Sequence, residues 1–149
     1  MRFHPALLLA LMVMGLALGA VRDASADDRI WTALVLATNE NPPRPAPKGL
    51  EAFAQDLTKI FGYHSFYILG EKRQKIREGS EQWVVSSDQF FLKLACTDMG
   101  VTSYDLTIDL YAKEKLILTS RVRLARDAPL YIRGPQWGNG QLIYILEIR

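Results

Sequence analysis

The chain has 149 residues, of which 49% are apolar, with eighteen Lys and Arg against sixteen Asp and Glu and a single cysteine. A net charge of +2 excludes a domain that holds nucleic acid or an anionic surface through its overall field. One cysteine excludes an internal disulfide framework, so stability must come from an ordinary apolar core, for which one domain of this length suffices.

Arg2 and His4 open a short basic region, Ala6 to Leu18 is apolar apart from Gly15, and Ala24, Ser25 and Ala26 place small residues where a signal peptidase reads. These residues predict a signal peptide over 1–26 and a released bacterial protein, periplasmic or extracellular, that begins at Asp27. A membrane anchor fits less well, because a spanning helix needs about twenty apolar residues and this run meets Arg22 and Asp23 first. No cysteine follows the run to take a lipid. Without Arg2, Arg22 and Asp23 the balance becomes sixteen basic and fifteen acidic residues.

Ile30 to Thr38 is short, apolar and β-favouring, which predicts a strand buried on both faces. Asn39 to Pro47 carries repeated prolines that forbid helix and central strand, so it reads as a stiff loop rather than as a polyproline ligand. Leu50, Phe53, Ala54, Leu57, Ile60 and Phe61 then recur at helical spacing, with Glu51 in the first turn, Lys59 in the last and Gly62 at the cap position. One amphipathic helix, about 49–61, is predicted to pack on a sheet.

Beyond Gly62 the period falls to two. Tyr63 to Leu69 reads as a strand, Gly70-Glu71 as a turn, Lys72 to Arg77 as a polar edge strand, Gln82 to Val85 as another strand, Ser86 to Asp88 as a turn and Phe90 to Cys96 as an inner strand. Cys96 alternates with Phe90, Leu92 and Leu94, so it is expected as a buried thiol. Val101 to Tyr111 and Lys115 to Leu124 form a hairpin whose inner face is Tyr104, Leu106, Ile108 and Leu110 against Leu116, Leu118, Val122 and Leu124. A turn near Lys113 or Glu114 sets Asp105 opposite Arg121 or Arg123, and opposite charges so placed are sheet chemistry. Asp105 and Asp109 share a face, but their spacing is that of surface charges and not of a catalytic pair. Leu130 to Arg133 leads into a loop, Gly134 to Gly140, that holds Trp137. Gln141 to Arg149 is a closing strand, apolar on both faces and expected beside Ile30 to Thr38.

Catalytic groups are few. His64 is the only histidine after the leader, and a strand points it away from Ser65, so a hydrolase built on the two lacks both an activated nucleophile and an orienting carboxylate. No zinc, calcium or phosphate-loop spacing occurs, and no cofactor or metal is expected. Two contact surfaces remain. Lys72, Arg73, Lys75 and Arg77 form a basic cluster suited to an acidic partner or to protecting a sheet edge. Trp137 at a loop tip suits an interface or, with Tyr131 or Trp31, a sugar ring.

The LVLAT-type strand, the proline-containing loop, a helix that ends in Phe61-Gly62-Tyr63 and the closing run from Ile132 to Ile143 (IRGPQWGNGQLI) resemble a group of short exported bacterial proteins whose activity is not established. The resemblance spans nearly all of the chain after the leader and implies a β-rich domain. It supplies no ligand or functional residue. The expectation is an α+β domain, one helix on a mainly antiparallel, sandwich-like sheet, that is not an enzyme and works by contact with an envelope protein or glycan.

Overall fold

Strands with apolar side chains on both faces must lie inside a sheet that is itself covered on both sides, and two such strands sit at the centre of this structure. The computed structural model describes residues 28–84 and 89–149. The predicted leader and the Ser86 to Asp88 turn lie outside them. Strands β1 (Arg29–Thr38), β2 (Ser65–Lys75), β7 (Leu130–Trp137) and β8 (Gly140–Ile148) form one antiparallel sheet in the order β2-β1-β8-β7. Strands β3 (Glu81–Val84), β4 (Phe90–Met99), β5 (Ser103–Ala112) and β6 (Lys115–Ala125) form a second, in chain order. The closing strand pairs with the first as expected, Ile30 with Ile148 through Ala37 with Gln141.

Alternation along β1 and β8 divides their side chains between two cores. Ile30, Leu34, Leu142, Tyr144, Leu146 and Ile148 meet Leu92, Leu94, Cys96, Tyr104, Leu106, Ile108 and Leu110 of the second sheet. Trp31, Ala33, Val35, Ala37, Ile143 and Ile145 face the other way and are covered by Leu50, Phe53 and Leu57. The architecture is α+β: a sandwich of two sheets with helix α1 (Ala54–Phe61) laid on the outer side of the first. No described helix is long and apolar enough to cross a membrane.

The helix is shorter than its apolar periodicity. Gly49 at φ +95° breaks the run, and Leu50 to Phe53 close as turns through Leu50 N to Pro47 O (3.0 Å) and Phe53 N to Leu50 O (2.9 Å). Gly62 ends the helix at φ 78°, its N–H donating to the Thr58 carbonyl at 2.9 Å, as its position in the sequence suggests. Ile60, expected in the stripe, is half exposed on the flank of so short a helix.

Glycine and proline mark irregularities of pairing where the sequence suggested reversals. Gly70-Glu71 is not a turn: β2 runs through it, and a register shift between Leu34 paired with Gly70 and Val35 paired with Ile68 leaves Leu69 unpaired and exposed. Lys72 to Lys75 is therefore the second half of one edge strand. The loop expected at Gly134 to Gly140 is likewise mostly strand. β7 continues past a shift between Arg133 and Gln136, and only Gly138 and Asn139 reverse the chain. In the β5–β6 hairpin Lys113 takes φ 53° and Asp105 pairs with Arg123. A bulge at Ile117 then moves Leu116 opposite Tyr111, off the inner face expected for it.

Candidate functional site

Trp137 ends β7, pairs with Gly140 across the two-residue turn and is 46% exposed. Its ring stands at 85° to Phe90, centroids 5.9 Å apart. Phe90 starts β4 in the other sheet, so this contact closes one end of the sandwich. Phe90 pairs with Ala112, and the neighbouring Phe91 stacks on Tyr111 at 5.2 Å. Tyr111 in turn faces Leu116, and the bulge sets Leu116 and Ile117 together against it. This end of the molecule thus carries Trp137 against Phe90 between the two sheets and, on the outer face of the second sheet, Phe91, Tyr111 and Leu116. Sequence reasoning found Trp137 but missed Phe90, Phe91, Tyr111 and the outward turn of Leu116, because their meeting depends on stacked sheets and one bulge.

The partners expected for Trp137 in a sugar site are elsewhere. Trp31 is buried under the helix, stacked on Phe53 at 5.3 Å, with its Nε1 donating to Glu71 Oε2 at 3.1 Å. Tyr131 pairs with Ile145, about 16 Å along β8 from Gly140 at strand spacing. It packs edge-on against Phe61 and donates to Asp56 at 3.4 Å. Burial, then the Asp56 carboxylate, pushes its hydroxyl up to about 12.

The basic cluster is not one patch. Strand alternation sends Arg73 and Lys75 to the side of Trp31 and the helix, and Lys72 to the side of Ile30 and Ile76. Arg77 follows the strand's end. Lys72, Arg73, Lys75 and Arg77 are all exposed. They lie on the β2 edge, while Trp137 lies on the β7 edge at the other end of the sheet, so the two predicted surfaces occupy opposite corners.

His64 is exposed, with Nε2 2.8 Å from the Glu40 carbonyl oxygen. Ser65 is fully buried, and its hydroxyl accepts from Arg44 N at 3.0 Å. The two side chains form no couple. Tyr67 donates to the Glu40 carboxylate, the Arg44 guanidinium lies 4.6 Å above the Tyr67 ring, and Asn39 Oδ1 accepts from His64 N. The proline-rich segment is thus a loop fastened to the start of β2.

Asp105 is held in a two-point pair with Arg123 (2.6 and 2.8 Å), which keeps its carboxyl below the usual range, and Asp109 accepts from Thr119 at 2.8 Å. Among the described residues no group of three or more His, Cys, Asp or Glu is placed to hold a metal ion. Cys96 is buried in the inter-sheet core, and burial pushes its thiol up. It is therefore expected to resist an aromatic disulfide reagent in the native protein and to react with one equivalent after unfolding. Fast labelling without denaturant would show this position to be open.

No family model, curated protein or solved structure matches the chain.

Proposed function

We propose that this is an exported, non-catalytic binding domain of the bacterial envelope, which engages another protein through the end of the sandwich built around Trp137. The observation that carries the reading is the 46% exposure of Trp137 at the tip of a hairpin, braced by Phe90. A tryptophan fixed by neighbours loses little conformational freedom on contact, and such residues dominate interface energetics. The His64 and Ser65 geometry gives no nucleophile and base, which favours contact over hydrolysis. Export follows from the leader in the sequence, and a secretion, pilus or surface-assembly machine is the class of partner proposed.

The test uses envelope extracts crosslinked to the tagged chain. Trp137→Ala is expected to weaken capture of a specific protein about thirtyfold, the effect of removing a central tryptophan worth about 2 kcal/mol. Neutralising Lys72, Arg73, Lys75 and Arg77 leaves capture intact. Retention of every partner by Trp137→Ala overturns the reading. A tryptophan fluorescence change on titration with cell-wall saccharides replaces it with glycan binding.

A further inference from the structure

We propose that the outer face of the first sheet carries a site for the phosphate group of a soluble ligand, built on Arg29, Arg73 and Arg149. It lies at the start of β1, the end remote from Trp137. Strand alternation puts Arg29 on the side of Trp31 and the helix, between two other cations. On one side it faces Lys75 of β2. On the other it exchanges both ladder bonds with Arg149, Arg29 N to Arg149 O at 3.0 Å and Arg149 N to Arg29 O at 2.9 Å. Three cations thus stand directly opposite one another in a row about 10 Å long, the sum of two antiparallel pair spacings. Arg73 stands in the next row on the same face, opposite Trp31.

Like charges directly opposite are destabilising, so the sheet by itself gives no reason to collect them. Edge protection accounts for Arg73 and Lys75 on β2, but Arg29 and Arg149 belong to β1 and β8, the central strands, which have no edge to protect. The carboxylates that share this end of the face are already engaged: Glu147 accepts from Arg149 Nε, and Glu71 from Trp31 Nε1. Among the described residues the exposed Arg29 and Arg73 guanidinium groups make no ion pair. Arg149 is held in place, since Glu147 takes its Nε and its guanidinium lies 5.6 Å from the Trp31 ring and 6.0 Å from that of Phe53. It therefore loses little freedom on binding. A carboxylate has two oxygens, which one guanidinium fork satisfies, whereas a phosphate ester offers three acceptor oxygens and about 1.5 to 2 negative charges and can draw on forks from three strands. The ligand is soluble and not a membrane surface, because the turn that stacks Phe53 on Trp31 and the helix after it rise about 10 Å above the sheet beside the row. A flat surface would meet them first.

Inorganic phosphate and pyrophosphate, titrated at constant ionic strength, are expected to raise the midpoint of thermal unfolding of the purified chain, where acetate and chloride do not. Arg29→Gln and Arg73→Gln are each expected to raise the phosphate dissociation constant about tenfold or more, through the loss of a charge-assisted hydrogen bond. Without phosphate, Arg29→Gln is expected to unfold at the wild-type temperature or higher, because it removes a like-charge contact. An arginine with a merely structural role would lower it. Lys72→Gln removes the same charge from the opposite face of β2 and is expected to leave phosphate affinity unchanged. Equal stabilisation by acetate or chloride overturns the proposal, by reducing the effect to screening of like charges. A Lys72→Gln loss as large as that of Arg29→Gln overturns it too, by assigning binding to the overall field. Sedimentation with phosphatidylglycerol vesicles, with no response to either soluble phosphate, replaces the soluble ligand with a membrane surface.

Discussion

Arg126→Met is expected to lower the free energy of unfolding by about 3 kcal/mol, the low end of the cost of stranding one partner of a buried ion pair. Arg126 Nη2 lies 2.5 Å from Asp28 Oδ2 and 3.0 Å from the Tyr104 hydroxyl. The exposures are unequal: the Asp28 side chain is 5% exposed and that of Arg126 35%. Removing the arginine therefore leaves a carboxylate in the protein interior, whereas Asp28→Asn leaves a guanidinium that can turn into water. The asparagine variant is expected to lose only about 1.5 kcal/mol, the low end of the worth of a hydrogen bond to a charged group. The pair fastens the start of β1 to the segment after β6, and so one sheet to the other. Urea denaturation of both variants and of their combination measures it. The double variant is expected to be more stable than Arg126→Met alone, because no unpaired charge remains. An Asp28→Asn loss equal to or larger than that of Arg126→Met would show the cost to be lost packing instead.

Neither residue of this pair stands out in the sequence, and the reason is general to this fold. β1 and β8 were legible because unbroken apolar runs can only be inner strands, and their pairing followed from there being two of them. The β5–β6 hairpin was legible because its alternation and its turn agree, down to Asp105 facing Arg123. Gly70, Gly134 and Pro135 misled because a bulge and a reversal draw on the same residue types, and only the partner strand distinguishes them. Leu116 was misplaced for the same cause, since one extra residue in β6 inverts the faces beyond it. The candidate site suffered most. Trp137 was visible as an isolated aromatic residue, but Phe90 reaches it only because the two sheets stack, a relation no local pattern encodes.

The hairpin that carries Trp137 depends on a glycine with no room for a side chain, and Gly140→Ala is expected to cost about 2–3 kcal/mol, the upper range for overpacking. A Cβ there would stand 2.7 Å from the Ala37 carbonyl oxygen, 2.8 Å from Leu36 Cδ1 and 2.9 Å from Thr38 Cγ2. The side chains can turn aside. The carbonyl cannot, because β1 is paired with β2 on one side and β8 on the other. The start of β8 must therefore move, and with it Trp137, directly across the turn. Gly138→Ala is the matched control: it adds nothing within 4 Å but places alanine at φ +58°, a backbone cost of about 1–2 kcal/mol. Crowding and backbone strain are thus separated two residues apart. Thermal unfolding should rank Gly140→Ala below Gly138→Ala, and near-UV circular dichroism should change more for Gly140→Ala as the ring leaves Phe90. Should the two be equally stable with unchanged spectra, β8 has more slack than its close contacts imply, and Trp137 is held by its own contact with Phe90 and not by the hairpin beneath it.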